Sequence, residues 1–214
     1  SAGDGGTPSS STDLPFSISC WWKPTTAASN ERIIVKQGAT SATKEYRLSQ
    51  TASSEILFYV NDSDGGGYRG RQTSAVTIDG KWCHIVAVYD GRGGSSAYDG
   101  VVIYVNGARS DTSNSSSSSY AGMSPNYSAP LYIGAAANGT TEADGQIAEV
   151  AIWNRALSSS DAIAIFNGTR DGVYELISGY LNKPVRTLIR SQDNMTGSYL
   201  SIKRTTGFKL IKPS

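Results

Sequence analysis

The sequence predicts an all-β domain, built as a sandwich or a barrel, with one short helix and a C-terminal extension. Three observations lead there. Runs of alternating apolar and polar residues recur along most of the 214 residues, the period-two signature of a strand with one buried face. Polar turns separate them, drawn from 23 Gly and many Ser, Thr, Asn and Asp, residues that tolerate turn geometries. Only one segment has helical spacing, so units of alternating strand and helix are not expected.

The strands follow in order. Phe16-Ser-Ile-Ser-Cys-Trp-Trp22 alternates with period two. Arg32–Lys36 is short and ends at Gln37-Gly38, and Glu45–Ser49 and Glu55–Val60 come next. Asn61–Gly67 reads as a loop, because Asx residues and glycines accept positive φ. Tyr68–Val76 is extended, and Cys83–Tyr89 is the strongest strand. Val101–Val105 runs into Asn106-Gly107, a tight-hairpin signal. The serine run Ser115–Ser119 is expected to be a flexible loop tip. Leu131–Gly134 and Gln146–Trp153 resume the strand pattern, with a break in parity after Ile147 that suggests a bulge. Ser158–Phe166 is the predicted helix, capped by Ser158 and stopped by Asn167-Gly168.

Composition excludes several classes. The net charge of +1 gives no electrostatic case for nucleic acid or an anionic membrane. No apolar run approaches the roughly 20 residues a membrane-spanning helix needs. Ser1–Thr12 does not read as a signal peptide, and the missing initiator Met suggests a chain cut from a longer one. Cys20 and Cys83 lie in strand interiors and are expected to be free thiols, one disulfide being the alternative. If Val86 and Val88 face the core, Cys83 faces away from it. Residues 171–214 carry seven basic and three acidic side chains, a net +4 that leaves −3 for the rest. This extension is too small to hold its own core and is expected to dock elsewhere.

Five segments, in this order, resemble the laminin-G-like branch of the concanavalin A-like lectin/glucanase superfamily. They are Phe16–Pro24, Gly80–Gly91, Val101–Gly107, Leu131–Gly134 and Asp144–Ser158. The resemblance covers residues 1–170. It implies a two-sheet antiparallel jelly roll in which Trp82 fills space between the sheets, and whose first strand would lie before Ser1. It also implies a rim that often holds Ca²⁺ and a surface that binds glycans. The motifs themselves report fold, so function rests on other residues.

Glycoside hydrolysis needs two carboxylates facing one bond. Glu142 and Asp144 are the nearest pair, but Gly145, Gln146 and Ile147 stand where a third acid belongs, and Glu149 is too far along. His84 is the single histidine and is expected to lie half-buried beside Trp82. Its neighbour Cys83 points to the opposite strand face, so the two form no dyad. No enzymatic activity is therefore expected. Asp62 and Asp64 offer the oxygen ligands of a candidate Ca²⁺ site, and Asp90 with Asp99 a second. Tyr59, Asp62, Asp64, Tyr68, Arg69, Arg71 and Tyr104 combine aromatic faces with planar hydrogen-bonding groups and are the candidate glycan contacts.

Two non-enzymatic functions remain. One is a virion-surface module, such as a phage decoration, fibre or tail protein. Its extension would bind other structural proteins through Arg186, Arg190, Lys203 and Arg204, in a homo-oligomer that leaves a sheet face for glycans. A stretch over 185–199 is similar to tailed-phage structural proteins and motivates it. The other is an extracellular or cell-surface carbohydrate-binding module of a larger enzyme or adhesin.

Overall fold

In the computed structural model, residues 13–26, 29–38, 43–62, 66–76, 78–123, 129–136, 142–177 and 199–202 are described, the last four and 170–177 by backbone alone. Among them, eleven strands are followed by one long helix and a twelfth strand. The strands are β1 (Phe16–Pro24), β2 (Glu31–Gln37), β3 (Lys44–Gln50), β4 (Ile56–Asn61), β5 (Tyr68–Thr73), β6 (Cys83–Tyr89), β7 (Val101–Val105), β8 (Ala108–Arg109), β9 (Asp111–Ser117), β10 (Leu131–Ile133), β11 (Gly145–Trp153) and β12 (Tyr199–Ile202); α1 is Ser159–Ile177. They make two six-stranded antiparallel sheets, ordered β12-β11-β1-β6-β7-β8 and β10-β2-β3-β4-β5-β9. The architecture is the two-layer sandwich, with the core between the layers.

Alternation decides what enters that core. Phe16, Ile18, Cys20 and Trp22 of β1 and Cys83, Ile85, Ala87 and Tyr89 of β6 face Ile34, Tyr46, Leu48, Ile56, Phe58 and Val60 across the gap. Phe16 sits at its centre, 4.8 Å from the Tyr46 ring and 5.8 Å from that of Phe58. Trp22 places a polar nitrogen there and satisfies it across the sheets, donating to Gln50 Oε1 at 2.9 Å, as a buried indole must. Cys20 and Cys83 are both free, and burial pushes the Cys83 thiol up to about 12. At one end Asp13 accepts from the Tyr120 hydroxyl at 2.7 Å and from the Met123 amide at 2.7 Å, and Tyr89 donates to the same carboxylate.

The turns are set locally. Asn106 and Gly107 have φ of 53° and 80°, the paired left-handed geometry that lets β7 return as β8. The parity break in β11 is a bulge: the pairing with β1 slips between Ser19↔Ala151 and Trp21↔Ala148, and Glu149 takes φ of 50°. Ser158 and Asp161 cap α1 reciprocally, the Asp161 amide donating to Ser158 Oγ at 3.2 Å and the Ser158 amide to the Asp161 carboxylate at 2.8 Å.

Five expectations need correction. Val86 and Val88 lie on the outer face of their sheet, with Tyr104, Trp153, Leu157 and Ala162, so it is Cys83 that faces the core. Trp82 is half-buried on that outer side, in a cluster with Trp21, Ala148 and Phe166, and does not fill the space between sheets. His84 is 1% exposed, held between the rings of Trp21 at 5.2 Å and Phe166 at 5.9 Å. The helix passes through Asn167-Gly168. Glycine costs about 1 kcal/mol there, but Phe166 and Thr169 on either side pack on Trp21, whose indole donates to Thr169 Oγ1 at 2.9 Å. Ser115–Ser117 belong to β9, paired residue by residue with β5, since a ladder is made by backbone groups and an edge strand tolerates polar side chains. In the extension, β12 adds to the chain's own sheet against β11, while Arg186, Arg190, Lys203, Arg204 and the segment before residue 13 lie outside the described residues.

Candidate functional site

The outer faces of the two sheets differ in what covers them. On the first sheet, α1 lays Ala162 and Phe166 over Trp21, Val86, Val88 and Tyr104. The second presents a row set by register: Tyr132, Val35, Arg47, Tyr59, Gly70 and Ser115 stand opposite one another from β10 to β9. They point outward because the alternate residues, Tyr46, Leu48, Phe58 and Val60, take the core.

Within this row the aromatic and guanidinium groups are stacked. The Arg47 guanidinium lies over the Tyr59 ring, 4.6 Å from its centroid, a cation–π contact. The Tyr68 ring lies 4.7 Å from that of Tyr59, tilted by 33°. Gly70, opposite Tyr59 on β5, makes the stack possible, because a Cβ there would come within 2.4 Å of Tyr59 Cβ and 2.2 Å of the Phe58 carbonyl. Arg32, opposite Ser49, is the second cation of the cluster. Arg32, Arg47 and Tyr68 are half-buried, and Tyr59 is 7% exposed.

The electrostatics follow from that crowding. Burial, and after it the like charge of Arg32, holds Arg47 below the ordinary arginine range, against the pull of Tyr59 and Tyr68. Burial raises the Tyr59 phenol, opposed by both arginines. Arg47 Nε is buried without a hydrogen-bond partner. Chemically the cluster offers flat ring surface edged by hydroxyls and fixed forks of N–H donors.

Of the residues singled out in the sequence, Tyr59 and Tyr68 come together here. Arg69 turns away, donating to the carbonyls of Ser95, Tyr68, Ser117 and Ser118 at 2.8–3.1 Å. Arg71, opposite Phe58, meets Asp111 at 2.7 Å. Tyr104 lies on the other sheet, buried beneath α1 and Leu157. Asp62 is buried and accepts from the Ala121 amide at 2.9 Å; Asp64 lies outside the described residues. Arg92 occupies Asp90 at 2.7 Å, with Asp99 near. Among the described residues, three or more His, Cys, Asp or Glu nowhere gather as a metal cluster, and no helix is long and apolar enough to cross a membrane. Of the candidate acids, Asp144 is exposed and accepts from Thr25 Oγ1 at 2.8 Å, and Glu142 is exposed beside it. Sequence reasoning missed Arg32 and Arg47. The signal for Arg47 was present, since Tyr46 and Leu48 flank it in an alternating strand.

The comparisons agree with the architecture. No curated protein matches the sequence. Among solved structures, the CBM40 domain of the Ruminococcus gnavus IT-sialidase bound to α2,3-sialyllactose is 13% identical over 72% of this chain and 83% of that one, with a TM-score of 0.53. The native heptameric SAP-like pentraxin of Limulus polyphemus is 15% identical over 89% and 81%, with a TM-score of 0.50. A Bacteroides ovatus protein proposed to bind carbohydrate is 17% identical over 70% of this chain, with a TM-score of 0.49, and this chain spans only 40% of its length. At such identities the likeness is one of fold, and none of these matches points to a virion. The profile of one family, described as the concanavalin A-like lectin/glucanases superfamily, matches residues 3–162. With the sandwich and its strand order in place, the chain belongs to that superfamily.

Proposed function

We propose that this chain is a non-catalytic glycan-binding module that works outside the cell, and that it holds its ligand on the outer face of β2–β5. The observation that carries the reading is the Arg47–Tyr59–Tyr68 stack, assembled from three strands on a face that α1 leaves alone. A sugar ring packs its C–H face on an aromatic ring and spends its hydroxyls on planar donors. The half-buried Tyr68 supplies the ring, Tyr59 backs it, and Arg47 supplies the donors. The superfamily's lectins, and the sialyllactose bound by the fold-related CBM40 domain, support the same reading. Asp144, tied to Thr25, and Glu149, at the bulge of β11, give no support to a hydrolytic carboxylate pair.

The test is a glycan-binding panel read by calorimetry on the chain and on Tyr68→Ala. Loss of the ring is expected to weaken the best ligand about tenfold, equivalent to about 1.4 kcal/mol. The far-ultraviolet dichroism should not change. An affinity unchanged in Tyr68→Ala would remove the face from consideration.

A further inference from the structure

The described arginine side chains differ in what holds them. Arg71, Arg92, Arg109 and Arg155 each lie on an aspartate, at 2.7, 2.7, 3.0 and 2.8 Å. Arg69 is spent on four backbone carbonyls. Arg32 and Arg47 alone among the described arginine side chains lie on neither a carboxylate nor a set of backbone carbonyls. Each is half-buried, they stand on adjacent strands, and the charged or ionisable groups that act on Arg47 are Tyr59, Arg32 and Tyr68. The nearby acid Glu45 is already paired with Lys36.

This arrangement works against the folded chain. Two cations diagonal to each other on neighbouring strands, each partly desolvated, repel each other and lose hydration with no counter-ion to offset either cost. Residues 1–170 carry a net −3, so the lack of an acid beside them is not a shortage of acids. A neutral sugar needs hydrogen bonds and ring contact but no charge. A carboxylate or sulfate would accept paired N–H bonds from a guanidinium, the geometry arginine is shaped for, and would relieve the repulsion.

We infer that the glycan held on this face is acidic, with a carboxylate or sulfate group seated between Arg32 and Arg47 while the sugar ring rests on Tyr68. This rests on the glycan-binding reading and narrows it to a ligand class. A carboxylate presents two coplanar oxygens and a sulfate ester three in a tripod; either can accept paired N–H bonds from a guanidinium, and matched polymers separate them.

The experiment measures affinity of the whole chain for polygalacturonate against its methyl ester, and for dextran sulfate against dextran. At least one acidic member is expected to bind about tenfold more tightly than its neutral partner, and the pair that shows it identifies carboxylate or sulfate. Arg32→Gln should erase that preference. Arg92→Gln removes the same charge from an exposed ion pair elsewhere and should leave it intact, which excludes a mere effect of net charge. If neutral polymers or panel glycans bind as well as acidic ones, or if Arg32→Gln and Arg92→Gln behave alike, the acidic ligand is overturned while glycan binding stands. If neither these polymers nor the panel of glycans bind, both readings fall.

Discussion

The outer faces of the two sheets both carry aromatic side chains and put them to opposite use. On one, Trp21, Trp82, His84 and Phe166 close on each other under α1, with Val86, Val88 and Leu157 beside them. On the other, Arg47 lies over Tyr59 and Tyr68 packs beside it, and among the described residues no helix covers them. The first face gains from burial, as any apolar surface does. The second keeps charge where burial penalises it, and a fold that tolerates such a cost points to binding rather than to stability. The contrast also limits what aromatic content alone says about the proposed sugar site: Tyr104 and Tyr59 both point outward from their strands, and it is α1 and Leu157 that cover Tyr104.

The sharpest break in the comparison is Trp21→Ala. The side chain is 1% exposed and holds Thr169 of α1. Removing it should cost about 3–5 kcal/mol, seen as a lower urea midpoint, while glycan affinity on the far sheet stays unchanged. Equal damage from Tyr68→Ala would mean that both faces are structural. Next in size is the pH response of the helix-covered face. Burial holds the His84 imidazole down to about 4 from 6.5, and its Nδ1 has no partner. Between those values the unfolded chain takes up a proton that the folded chain refuses. Stability should therefore be complete above about pH 6.5 and fall as pH drops toward 4, by about 3 kcal/mol in all. His84→Phe should flatten that slope in urea unfolding at pH 7, 5.5 and 4; an unchanged slope would place the loss in other groups.

The sandwich was legible because its strands alternate cleanly. Cys83–Tyr89 and Val101–Val105 were read to the residue, and the bulge in β11 showed as a parity break at Ile147. Orientation was harder. Cys83–Tyr89 is apolar on both faces, since one meets the other sheet and the other meets α1, so alternation could not say whether Val86 or Cys83 points inward. The helix end was missed because a local stop signal at Asn167-Gly168 yielded to packing of Phe166 and Thr169, which no local rule reports. The candidate site was half legible. Tyr59 and Tyr68 were found from an aromatic-rich loop and strand, but Arg69 and Arg71, read with them, alternate to the inward side of β5. Alternation with Tyr46 and Leu48 puts Arg47 on the outward face, but its significance lies in having no carboxylate of its own, and that depends on which strands are neighbours.

The smallest change that still separates the faces is Gly70→Ala. One methyl group at this position would meet Tyr59 Cβ at 2.4 Å, Tyr59 Cα at 2.7 Å and the Phe58 carbonyl at 2.2 Å, so strand β4 or the Tyr59 ring must give way. Overpacking of this kind costs about 1–3 kcal/mol, less than losing Trp21. Its effect on binding should nevertheless exceed that of Trp21→Ala, because the displaced group is the ring on which Arg47 lies and against which Tyr68 leans. Thermal unfolding and calorimetry on the same sample check both halves of the expectation. If Gly70→Ala lowered the unfolding midpoint and left glycan affinity intact, the Arg47–Tyr59–Tyr68 stack would be a device for holding β3, β4 and β5 together, and the second face would be as structural as the first.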